Sequence, residues 1–131
     1  MDSSTLGPHV RSIIRIILGL TFSCHGCQKI LGLLGGMKQP MFSLGWFAGM
    51  LELVGGILII VGLGTRVTAF ILSGEMAVAY FHTHAPRGFW PIKNGGELAV
   101  VYCFVFLYLA AAGGGVWSLD HLLHGDKSSS K

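Results

Sequence analysis

Charge is scarce in this sequence. Lysine, arginine, aspartate and glutamate make up 11% of the chain, less than half of the roughly 25% usual in a soluble domain. Hydrophobic residues make up 52%, and the mean hydropathy is +0.66. A soluble chain of 131 residues, the size of one domain, cannot hide so much apolar surface and still present a wet exterior. Cysteine is sparse as well. Cys24, Cys27 and Cys103 all fall inside apolar runs, which argues against the loop-borne disulfide framework of small secreted domains. The basic residues are scattered and the net charge is only +3, so no basic stripe marks a nucleic-acid partner. A phosphate loop and a nucleotide-binding glycine fingerprint are both missing. These absences leave a small integral membrane protein with the lipid bilayer as its solvent.

Four apolar runs are present. Residues 1–10 are polar with a Gly-Pro pair and read as a flexible lead. Ile13 to Leu34 is long enough to cross a hydrocarbon core of about 30 Å, which takes roughly 20 helical residues. Arg11 and Arg15 could flank a signal peptide, but no small-x-small cleavage site follows, so the run is taken as the first helix. Gly35 to Leu44 is a loop. Trp46 to Leu63 is the second helix and Gly64-Thr65 a tight turn. The third helix runs from Arg66 to about His84, where Pro86 forces an end. The fourth runs from about Gly96 to Ala112. The expected fold is all-α and integral to the membrane, a four-transmembrane-helix bundle over residues 11–120, with a polar, disordered tail over 121–131. Arg11, Arg15, Arg66, Lys127 and Lys131 on the side of the termini outnumber Lys38, Arg87 and Lys93 on the other, which favours cytoplasmic termini. Trp46 and Trp90 fall at one interface and Trp117 at the other, as an aromatic belt requires.

Glycine is plentiful, at 20 residues. Gly45 and Gly49 form a GxxxG, which serves tight packing inside a bundle or, alternatively, a dimer face that would make the protein a homo-oligomer.

The sharpest signal is ionisable residues inside the apolar runs. Glu52, Glu75 and Glu97, all the glutamates of the chain, lie in or at the mouth of expected helices. A charge at mid-bilayer costs at least about 2.5–3.5 kcal/mol, so such groups face the interior and have partners. The first helix offers them: His25, Gln28 and Lys29 stand at i, i+3 and i+4 and share a face with Thr21 and Gly32. Glu52 shares a face with Gly49 and Gly56, and Glu75 with Ala79 and His82. These stripes are expected to meet around a polar axis, with Lys29 paired to one glutamate. The bland alternative is polar glue, but polar contacts in membranes average only about 0.6 kcal/mol.

Smaller motifs carry two readings each. The stretch His82 to Tyr102 is the longest polar interruption. Within it, Asn94-Gly95-Gly96-Glu97 fits a capping box, which would explain Glu97 without a site. Gly74–Tyr80 echoes Gly96–Tyr102 at five of seven positions, suggesting Tyr80 and Tyr102 as hydroxyls near the acids. Cys24-His25-Gly26-Cys27 is either a thiol pair or apolar filler. His82 and His84 are too few for a zinc site, which wants three or four ligands, so no metal is expected.

As an ordered set, several runs resemble the DoxX family of small bacterial membrane proteins. They are Arg15 with Leu18-Gly19, His25-Gly26-x-x-Lys29-Ile30-x-Gly32, Gly49-x-x-Glu52-x-x-Gly55-Gly56, and Gly62-Leu63-Gly64-Thr65-Arg66. His84-x-Pro86 through Gly88-Phe89-Trp90-Pro91 to Asn94-Gly95-Gly96-Glu97, and Trp117-Ser118-Leu119-Asp120, complete it. The resemblance covers Arg15 to Asp120 and implies a four-helix bundle in the bacterial inner membrane. The family is named for a subunit of a thiosulfate:quinone oxidoreductase, and relatives are tied to redox, sulfur and oxidative-stress functions. The paired cysteines are not part of its usual signature. Combined with the polar axis, the resemblance implies a subunit of a membrane redox system with other membrane or redox proteins as partners. A quinone-like or small sulfur ligand would lie among His25, Lys29, Glu52, Glu75, Glu97 and Tyr102. The alternatives are a scaffold subunit and a small-solute or proton pathway.

Overall fold

A computed structural model of the chain describes residues 2–124, and every described regular element is helical. Helix α1 covers Ser3–Leu31, α2 Leu44–Val61, α3 Thr65–Ala79, α4 Pro91–Asn94, α5 Glu97–Ala112 and α6 Leu119–His124. Between α3 and α4 the chain widens into a π turn, Tyr80–His84, and then tightens into a 3-10 turn, Ala85–Arg87. Helices α1 and α2 are long and apolar enough to cross a membrane, and α5 is a shorter apolar helix.

Local chemistry sets the boundaries. Gly32 and Gly62 close α1 and α2 in the left-handed conformation, at φ of 69° and 72°, where glycine carries no Cβ penalty. The Ser43 side chain accepts from the Trp46 amide at 3.2 Å and caps α2. Helix α1 begins at Ser3 rather than Ile13, because the Asp2 carbonyl accepts from the Thr5 and Leu6 amides and starts the ladder inside the expected lead. The expected tail lies outside the described residues from residue 125 onward, and Asp126, Lys127 and Lys131 with it; α6 occupies its first four positions.

The helices pack in pairs, α1 on α2 and α3 on α5, with α2 also meeting α3. Glycine makes the first pairing close. A Cβ on Gly19 would stand 2.8 Å from the Gly56 carbonyl, and one on Gly49 would stand 2.7 Å from the Lys29 Cβ. Gly45 abuts Gln39. Both glycines of the GxxxG are therefore used inside the fold. The core is small and includes Phe22, Ile59, Leu72, Phe106 and Leu109, with Phe22 and Phe106 edge to face at 4.9 Å. Outward-facing positions are apolar as well: Ile17, Val54, Phe70, Val101 and Phe104 are exposed. That is a far larger bare apolar surface than a soluble monomer shows.

At the end of the fold near the N-terminus, Arg15 is fully buried. It is not the solvated flanking charge that its position suggested. Its guanidinium donates to Gly114 O at 2.8 Å, to Ile59 O at 2.6 Å, and to Ile60 O and Trp117 O. Close by, the Asp120 carboxylate accepts from the Gly64 and Thr65 amides, each at 2.8 Å, and caps α3. Burial raises the Asp120 pKa, but those two amides more than offset it and hold the carboxyl below its ordinary range.

Candidate functional site

Helices α2 and α3 leave residues 62–64 as a tight turn. They touch where Gly55 admits Leu72. Both helices line a cleft of about 910 Å³, and α1, α5 and the π turn complete its walls. Three ionisable side chains converge inside it. Lys29 Nζ lies 2.6 Å from Glu52 Oε1, with Glu52 only 2% exposed. The Glu75 carboxyl lies close enough to both for their charges to interact. Glu52 and Glu75 each keep one buried Oε2 without a partner.

The pairing follows from helix geometry. Lys29 stands one turn beyond His25 on the same face of α1, and both line the cleft. Glu75 shares its α3 stripe with Ile71, Val78 and His82, which also line it. Apolar lining residues include Phe22, Phe47, Leu51, Leu98 and Met76. Tyr102 reaches the lining, but its hydroxyl donates to Thr21 Oγ1 at 3.1 Å and its ring packs on Phe22 and His25. It positions α1 against α5 beside the polar groups.

Glu97 does not join the cluster. It is exposed in the first turn of α5, outside the lining. The capping box does not form either. Pro91 starts the separate turn α4, which Gly95 closes at φ 77°, so the N-cap of α5 is Gly96. Asn94 is instead a buried clamp, donating to Tyr80 Oη at 3.1 Å and Gly88 O at 2.7 Å, and accepting from Gly96 N at 2.8 Å. Tyr80 donates to Phe89 O. It therefore fastens the loop rather than serving the acids, and the echo between the two GE…Y segments has no common structural role. Gln28 donates to Leu34 O and belongs to the loop after α1. His84 approaches Asn94 O at 3.3 Å. Cys24 and Cys27 are free, half-buried and outside the lining. Sequence reasoning passed over Asn94, Arg15 and Asp120 as clamps, and it left His82 out of the site although its helical register with Glu75 was visible.

The sequence is similar to known proteins. The DoxX family profile matches residues 10–85, which include His25, Lys29, Glu52, Glu75 and His82. The chain belongs to the DoxX family. An uncharacterized protein of Haemophilus influenzae is 44% identical over 124 residues, covering 87% of this chain and 90% of its own length. Inner membrane protein YqjF of Escherichia coli is 32% identical over 120 residues, covering 86% of this chain and 90% of its own. A Bacillus subtilis protein named "Putative oxidoreductase CatD" is 25% identical over 114 residues and 82% of each chain. No solved structure matches. This DoxX chain is thus a membrane protein with inner-membrane homologues, and its exposed apolar helix faces are its lipid contacts.

Proposed function

We propose that this DoxX protein is a multi-pass subunit of a membrane redox system that binds a quinone-like or small sulfur ligand in the α1–α2–α3–α5 cleft. The observation that carries the proposal is the Lys29–Glu52 pair beside Glu75, inside a cleft whose lining is otherwise mostly apolar. Ionisable groups in a membrane interior are costly, and their usual reason is a ligand or proton path. The cavity volume of about 910 Å³ is that of a small-molecule site. A quinone carbonyl needs hydrogen-bond and proton donors, and the Lys29 ammonium and His25 are donors of that kind. A small sulfur anion would use Lys29 alone. Tyr102 is a positioning residue in this scheme, and Glu97 has no part in it. The word oxidoreductase in the name of the Bacillus subtilis relative points the same way.

The same proposal makes α3 with its π turn, and α5, spans alongside α1 and α2. Both carry outward apolar residues, such as Phe70 and Val78 on α3 and Val101 and Phe104 on α5. Four spans place both termini on one side, the cytoplasmic one by the excess of basic residues there.

The test is mass spectrometry of the protein purified gently into nanodiscs. The wild type is expected to retain a quinone or a sulfur compound in stoichiometric amount, and Glu52→Gln to lose it while remaining folded. An empty wild-type cleft, or equal retention by the variant, ends the proposal.

A further inference from the structure

The cleft has two rims of different chemistry. One is polar and is formed by Gln39, His82, Thr83 and His84. The other lies on the flank, among residues of α2 and α3. There Leu51, Ile71 and Val78 line the cleft and are also exposed on the lipid-facing surface. Between them stands Gly74, exposed, in mid-helix, and with nothing within 4 Å of where its Cβ would be. Gly19, Gly26, Gly49, Gly55 and Gly56 each admit a close neighbour; Gly74 admits none. Glycine weakens a helix relative to alanine, and no packing partner accounts for it here. A backbone left bare on a cavity wall is where a ligand can approach closely. Behind it waits Glu52, 2% exposed, with one carboxylate oxygen unpartnered.

We infer that the gap between α2 and α3 at Gly74 is a lateral portal, through which an amphiphile with a polar ring and an apolar tail enters from the bilayer. The ring reaches Lys29, Glu52 and Glu75, and the tail lies across Gly74 between Leu51 and Ile71 and trails into the acyl chains. This rests on the reading of the cleft as a ligand site. It narrows the ligand to a lipid-soluble one, because a small sulfur anion would need the polar rim instead.

The experiment compares decylubiquinone with its tail-less ring parent on wild-type protein and on Gly74→Ala, Gly74→Phe and Glu52→Gln in phosphatidylcholine nanodiscs. Gly74→Phe is expected to weaken decylubiquinone binding at least about tenfold, equivalent to about 1.4 kcal/mol. It should leave the ring parent unchanged, and Gly74→Ala should bind both as the wild type does. Wild-type affinity for decylubiquinone in Gly74→Phe overturns the portal. In that case the cleft reading survives if the ring parent binds wild type and is lost in Glu52→Gln. Failure of wild type to bind either probe overturns both. Should Gly74→Phe not fold, a nitroxide at Gly74→Cys, in a chain with Cys24, Cys27 and Cys103 replaced by alanine, gives the second readout. Faster relaxation by oxygen than by an aqueous nickel chelate supports the portal, and the reverse order overturns it.

Discussion

The two ends of the fold treat buried charge in opposite ways. Near the N-terminus, Arg15 gives its donors to four backbone carbonyls and Asp120 gives both oxygens to backbone amides. These charges face protein backbone, and the segments they join are fixed. At the cleft, Lys29, Glu52 and Glu75 face one another across side chains, and each acid keeps an oxygen unused. One arrangement is closed and the other is open to a further partner. A buried charge in a membrane protein is therefore not informative by itself; what it faces is. Backbone partners mark a fastening, and unfinished side-chain partners mark a place where something else can bind.

Substitutions can break this contrast in order of size. Arg15→Met should have the largest effect on stability, roughly 3 kcal/mol or more, because it strands four carbonyls away from water. Loss of monodisperse protein in mild detergent, or a large fall in the thermal midpoint, is the expected readout, and a near-native midpoint would erase the distinction between the two ends. Asn94→Ala should follow at about 2 kcal/mol, from three lost hydrogen bonds in the loop between the π turn and α5. Limited proteolysis around Gly88 would reveal the freed loop. Asp120→Asn should cost about 1 kcal/mol, the scale of a helix-terminus charge. Its effect has a pH signature. The Asp120 carboxyl is depressed in the folded state, so its stabilisation is full above the ordinary aspartate value of 3.8. That stabilisation fades as pH falls through the lower folded value. Wild type and Asp120→Asn should accordingly differ in midpoint at neutral pH and converge in strong acid. Glu75→Gln should alter stability least, by about 0.6 kcal/mol, while reducing ligand retention. A collapse of the fold in Glu75→Gln would make the cleft a fastening like the other end.

Much of this was readable from residues alone, where the relevant interactions are local or periodic. The apolar runs gave α1, α2 and α5 to within a few residues, except at the start of α1. The turn expected at Gly64-Thr65 lies within two residues of the link to α3 at 62–64. The i, i+4 register of His25 and Lys29 pointed at the cleft, and an amine among acids pointed at Glu52. Arg15 was misjudged because its partners are main-chain atoms far along the chain, at residues 59, 60, 114 and 117. No side-chain pattern encodes a carbonyl. Glu97 was misplaced for a related reason. The capping pattern around Asn94 was present, but Pro91 and Gly95 spent Asn94 on a separate turn, and the side chain went to Tyr80 and Gly88. The cleft lined by α2 and α3 was likewise beyond the reach of sequence, since it depends on how separate helices are placed against one another.

The Arg15 fastening also bears on how the protein is made. Its guanidinium sits on α1, whereas two of its four acceptors, Gly114 and Trp117, are synthesised 99 and 102 residues later. Until those residues are made, only the Ile59 and Ile60 carbonyls are in place for it. A product ending before Gly114 is therefore expected to be less stable than the full chain, which a shorter half-life of truncated chains in a pulse–chase would show.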